Sequence, residues 1–156
     1  MLKINIIAIG RVKEEYFKGG IDEYIKRLSR FCAVNLIELK EENYTNPTDS
    51  QIQKIIEVEG DSILKKLKGE VVSMCIEGEK ISSKQFADYI KSQLDKGQEL
   101  TFVIGGSYGL DKRVKDLSSK KLSFSHMTFP HTMFRLMFVE QLYRAFTIIN
   151  NTSYHK

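Results

Sequence analysis

Two kinds of hydrophobic periodicity take turns along this chain, and the alternation restricts its architecture more than any other feature. Leu2–Ile9 is a short, nearly continuous apolar run stopped by Gly10, the pattern of a strand buried on both faces. Glu14–Phe31 follows as an amphipathic helix, with Tyr16, Phe17, Ile21, Tyr24, Ile25 and Leu28 on its apolar stripe. Val34–Leu39 reads as a second strand. Pro47 and Asp49 then open a helix to about Lys68, and Gly69 stops it. Beyond this, Val71–Ile76, Leu100–Ile104 and Leu122–Phe129 have strand character. Ser83–Lys96, Asp111–Ser118 and a long stretch from Pro130 to about Asn150 have helix character, with Ser82 or Ser83 as a cap. Five strands alternating with five helices predict an α/β fold. Its sheet should be largely parallel with flanking helices, in a single domain over residues 1–156.

Composition excludes several classes. No apolar run approaches the roughly 20 residues that span a bilayer, and the N-terminus lacks the basic start, long apolar stretch and cleavage site of an export signal. A cytoplasmic protein with no membrane partner is expected. Cys32 and Cys75 show no CxxC spacing and are expected as buried free thiols. His126, His131 and His155 lack companions at ligand spacing, so no metal is expected. The net charge of +4 is unevenly spread: from Asp111 to Lys156 eight Lys and Arg stand against three acids. A polyanionic partner on that part of the molecule would suit this excess.

The last helix is unusual. Met133, Phe134, Leu136, Met137, Phe138, Val139, Leu142, Tyr143, Phe146, Ile148 and Ile149 cover almost its whole circumference. A helix apolar all round must be buried on all sides. A homodimer interface satisfies that requirement, and so would a central position between two layers of its own chain.

In parallel α/β sheets ligands bind beyond the carboxyl ends of the strands. Three such ends carry unusual residues here: Met74–Gly78, Ile104–Gly109 (IGGSYG) and Phe124–His131 (FSHMTFPH). Glycines let the IGGSYG backbone approach a ligand closely, although a plain tight turn would use them too. It is neither a GxGxxG nor a phosphate loop. In FSHMTFPH a strand runs into a proline-started helix, with the hydroxyls of Ser125 and Thr128 between the apolar Met127 and Phe129. Such a junction could cradle an adenosine or simply join two elements. His131, in the first turn, could be a cap, a core-edge residue or a proton-handling group. Arg135 opposes the helix dipole and calls for a compensating anion, a bound phosphate being one candidate. Arg144 is nine residues later, half a turn out of phase, and should pair with Glu140 instead.

IGGSYGL, LSFSHMTFPHTMFRLMFVEQLYRAF and the terminal YHK, in this order, are strong signatures, and IIAIGRVKEEYFKGGIDEYIKRL and IIEVEGDSIL agree with them. Over essentially its whole length the chain resembles the RlmH family of SPOUT methyltransferases. The resemblance implies a homodimer with a C-terminal trefoil knot that binds S-adenosylmethionine in a bent conformation. It assigns donor contacts to Met74, Gly105, Phe124, Ser125, His126, Met127, Thr128 and Phe129, with His126 acting mainly through its backbone. The implied reaction is methylation of N3 of a pseudouridine in 23S rRNA on the assembled ribosome. Arg135, Tyr154 and His155 are then candidates for holding the RNA, while His131, His155 or water would remove the imide proton. A related enzyme acting on transfer RNA, or a non-catalytic RNA-binding module, are the competing expectations.

Overall fold

The computed structural model describes residues 1–156. The strands are β1 (Leu2–Ile9), β2 (Cys32–Leu39), β3 (Glu70–Lys80), β4 (Leu100–Ile104) and β5 (Lys120–Ser123). The helices are α1 (Glu15–Leu28), α2 (Asp49–Leu64), α3 (Ser83–Lys96), α4 (Lys112–Leu117) and α5 (His131–Ile149). All five strands join one sheet in the order β2-β1-β4-β3-β5, every pairing parallel. No helix is long and apolar enough to cross a membrane.

The sheet separates two cores, and β1 shows why its sequence is apolar throughout. Ile4, Ile6 and Ala8 face a core shared with Ile21 and Leu28 of α1, Phe86 and Ile90 of α3, and Phe138, Leu142 and Phe146 of α5. Ile7 and Ile9 face the opposite core, with Ile63 of α2 and Leu110 and Val114 around α4. A strand covered on both faces has no polar side to show. Helices α2 and α3 begin with capping boxes, Thr48 with Gln51 and Ser82 with Gln85, which satisfy otherwise orphaned N–H groups. Helix α1 has no such cap and is held by its packing against α5.

The main departure from the periodicity is β5. It ends at Ser123, so the apolar run to Phe129 is a loop rather than strand. Pro130 caps α5 from outside, and His131 is the first helical residue. The sheet explains the early end. β5 pairs with Val72–Met74 of β3, then slips to pair with Glu79 and Lys80. At the slip a Cβ on Gly78 would lie 2.7 Å from the backbone N and C of Leu122, so only glycine lets the two strands pass this closely.

Candidate active site

The three segments singled out by sequence meet at one cavity of about 680 Å³, within the range of small-molecule sites, although Met74–Gly78 lies inside β3, which runs on to Lys80, rather than at its end. Met74, Cys75, Ile76 and Glu77 from β3 form one wall. Gly105, Gly106, Ser107, Gly109 and Leu110 after β4 form a second. The third runs from Leu122 through Ser125, Met127, Thr128, Phe129 and Pro130 to His131 and Phe134. Of the eight donor contacts expected, seven line this cavity. His126 does not, and its side chain is exposed.

Each wall is built by local chemistry. Met74 is buried, in register with Ile104 and Leu122, and so forms part of the cavity floor. After β5, Ser123 Oγ donates to the Ser125 carbonyl at 2.9 Å, and Ser125 Oγ accepts from Met127 N at 3.0 Å. These hydroxyls fold the loop back on itself, as serines do in turns. Phe124 anchors it, stacked near-parallel on Phe138 with ring centroids 6.1 Å apart. The glycine turn is fixed downstream by Asp111, which accepts from Arg113 N at 2.8 Å, while Arg113 also bridges to Asp61 of α2 at 2.9 Å. Across the cavity Lys115 and Glu77 pair at 2.6 Å, and that hydrogen bond holds the Glu77 carboxyl below its ordinary range.

The expected RNA-holding residues fall in two different places. Arg135 is fully buried. Its guanidinium donates to Glu38 Oε2 at 2.7 Å and to the carbonyls of Gly10 and Ile9 at 3.0 Å each. The compensating anion is therefore Glu38 rather than a phosphate, and Arg135 braces the ends of β1 and β2 instead of reaching RNA. Burial pulls its pKa down while Glu38 opposes that shift. Tyr154 and His155 lie in the tail beyond α5, folded against the helix's last turns. Tyr154 OH is 3.0 Å from Tyr24 OH and donates to Glu140 at 3.2 Å, and His155 Nδ1 is 3.2 Å from Arg144. Arg144 Nε donates to Glu140 at 2.9 Å, as the spacing suggested. None of these tail groups lines the cavity of its own chain.

Sequence reasoning missed Glu38 and Glu41, brought near the site from a distant segment, and Lys115, which stands on α4 just after the glycine turn. Glu41 lies in a charged stretch that reads as a solvated loop, and nothing local marks it. Glu77 did carry a signal, standing within the unusual MCIEG segment.

Comparisons with known proteins agree with this architecture. A family model described as "Predicted SPOUT methyltransferase" matches residues 2–155. The "Ribosomal RNA large subunit methyltransferase H" of Clostridium tetani is 44% identical, over 99% of this chain and 100% of that protein. The chain belongs to the RlmH family of SPOUT methyltransferases. A second relative, "Ribosomal RNA large subunit methyltransferase H 1" of Clostridium perfringens, is 45% identical over the same shares of both chains. Among solved structures, one described as "Probable Methyltransferase from Bordetella pertussis Tohama I" aligns with a TM-score of 0.58. It is 11% identical and covers 92% of this chain and 94% of that one, a likeness of fold. In this SPOUT fold the cavity lies beyond the carboxyl ends of β4 and β5, beside the part of β3 that runs on past its pairing with β4 at Met74.

Proposed function

We propose that this protein transfers a methyl group from S-adenosylmethionine to N3 of a pseudouridine in 23S rRNA, acting in the cytoplasm on the assembled ribosome. The observation that carries the reading is the cavity itself, where a backbone-rich glycine turn faces an apolar β5–α5 loop. The names of the relatives point the same way, since both act on large-subunit ribosomal RNA. The cavity fits such a donor. Met74, Leu122, Phe124 and Phe129 offer apolar walls for a flat purine, and Gly105 and Gly106 leave backbone exposed beside it. Met74, Gly105, Phe124, Ser125, Met127, Thr128 and Phe129 would hold the donor, with His126 contributing no more than backbone nearby. When bound, S-adenosylmethionine supplies an electrophilic methyl group on a sulfonium.

The chain's own contribution is positioning. Holding acceptor and donor in line supplies much of the rate in such a transfer. His131 stands at the cavity edge, where an extruded base would enter. Arg135 acts from behind, by fixing the ends of β1 and β2. Tyr154 and His155 belong to the same reading only if a second copy brings them to the cavity. A homodimer does so naturally. Met133, Leu136, Met137 and Tyr143 leave one side of α5 incompletely covered, and an apolar groove of about 530 Å³ runs between α1, α3 and α5. An antiparallel two-fold pairing of α5 would lay the tail of one copy over the first turn of the other. The trefoil knot belongs to this reading as well. The tight passage of β5 beside Gly78 and the return of α5 from the sheet edge to a place between α1 and α3 support it.

The test is label transfer from radiolabelled S-adenosylmethionine to assembled ribosomes lacking the modification, isolated large subunits, naked ribosomal RNA and transfer RNA. Label in 23S rRNA from assembled ribosomes alone is the expected result. Label on transfer RNA would move the substrate. Neither label nor donor binding would leave an RNA-binding module.

A further inference from the structure

Two pairs tie the first turns of α5 to the end of β2. The inner one is Arg135 with Glu38 at 2.7 Å; the outer one is His131 with Glu41, Nε2 lying 3.7 Å from Oε1. Four residues separate the partners on the helix and three separate them on the facing segment. The outer pair reaches further than the inner. Oε1 of Glu41 also accepts from Ser107 Oγ at 3.3 Å, so one carboxylate touches both the glycine turn and α5, two walls of the cavity. Gly10, at φ +85°, makes room for it: a Cβ there would lie 3.1 Å from Glu41 Oε2 and 3.6 Å from His131 Cε1.

The imidazole has an asymmetric environment. Its Nδ1 is buried without a partner. A neutral ring carries one N–H, and placing it on Nδ1 would enclose an unpaired donor, which native proteins avoid. Placing it on Nε2 points the N–H dipole at the Glu41 carboxylate, an electrostatic contact at 3.7 Å rather than a hydrogen bond. Of the other charged groups nearby, Arg135 pairs with Glu38 and Lys115 with Glu77 across the cavity, while the buried Glu59 carboxyl is a second acid beside Glu41. Glu41 has no Lys or Arg within ion-pair distance, which leaves it to His131 and Ser107.

We propose that Glu41 is a positioning residue of the site: it holds His131 as the Nε2–H tautomer and, through Ser107, sets the distance between the glycine turn and α5. The role rests on the reading of this cavity as the methyl-donor site. With Nε2–H turned to Glu41 and Nδ1 enclosed, His131 has no lone pair facing the cavity. The imide proton then leaves to water or to the tail rather than to this ring.

The experiment uses the full-length protein. Long-range nitrogen–proton NMR reads the tautomer of His131, and calorimetry reads binding of S-adenosylmethionine. The wild type should show Nε2–H alone. Glu41→Gln keeps an oxygen for both partners and should keep both readouts. Glu41→Ala should mix the tautomers and weaken donor binding about tenfold, the loss of one charge-assisted hydrogen bond. Ser107→Ala should weaken donor binding while leaving the tautomer intact. A wild-type ring protonated on Nδ1, or a Glu41→Ala protein unchanged in both readouts, overturns the proposal. Should Glu41→Ala fail to fold, the wild-type tautomer and Ser107→Ala still decide it. If the wild type binds no donor, the functional reading fails, and the tautomer spectrum alone judges the Glu41–His131 contact.

Discussion

The two ends of α5 carry similar ion pairs in opposite circumstances. Near the start, Arg135 is sealed from solvent and joined to Glu38, a partner 97 positions away in sequence. Near the finish, Arg144 pairs with Glu140 one turn back, partly exposed, with Tyr154 and His155 resting against it. Nine residues, about 14 Å of helix, and half a turn separate the two arginines. A guanidinium that bonds strand-end carbonyls serves the frame; one held by a neighbour on its own helix remains available to something else. Charge and residue type are the same, and depth decides the work.

The sharpest way to break this comparison is to remove each cation in turn. Arg135→Ala leaves two strand-end carbonyls without donors and empties a fully buried site. It should cost about 3–5 kcal/mol of stability in urea denaturation, if the protein folds at all. The same substitution at Arg144 should cost less than about 1 kcal/mol. If the two losses matched, the difference in depth would mean nothing.

Acid–base behaviour separates the ends next. Glu59 of α2 is buried against the glycine turn and accepts from Glu42 N at 3.2 Å. Burial, reinforced by Glu41 and Glu42 and partly offset by that N–H, lifts its carboxyl from 4.5 to about 7. The folded chain therefore keeps a proton that the unfolded chain releases, and stability falls as pH rises between those values. Glu59→Gln should flatten that slope and gain about 2 kcal/mol at pH 8, measured by thermal unfolding across pH. At the tail, burial and the Tyr24 hydroxyl push Tyr154 above its ordinary range, so it stays neutral throughout this window.

Smaller still in free energy, but decisive for function, is the effect of Arg144→Ala on methylation. A tail that serves the reaction should lose about tenfold in rate, worth about 1.4 kcal/mol, with stability nearly unchanged. Last comes complementation. Gly105→Val disables the cavity, and Tyr154→Ala together with His155→Ala disables the tail. Mixed and re-equilibrated, the two inactive proteins should regain about a quarter of wild-type activity if the tail acts across a dimer, and none if it acts within one chain.

Much of this frame was legible in the sequence because it rests on local patterns. The ends of β1, β4 and α3 follow from Gly10, the apolar run at Leu100–Ile104 and the Ser82 cap. The β5 boundary did not, because Phe124, Met127 and Phe129 read as strand residues although they serve a loop. Phe124 packs inward and Met127 is 72% exposed, a division periodicity cannot express. Of the site, the walls were visible as glycine-rich or proline-marked strand ends. The braces were not. Glu38 and Glu41 find Arg135 and His131 only because the sheet order places β1 and β2 beside the start of α5, and no local signal encodes that order.

The cavity draws its walls from β3, β4, the loop after β5 and the first turn of α5, all of them beyond β1, α1, β2 and α2 in the chain. During synthesis, a nascent polypeptide whose final helix is still inside the ribosome has β1, β2 and α2 in hand but no completed cavity. Competence arrives with the last residues to emerge, so truncated or stalled copies are silent instead of half-active.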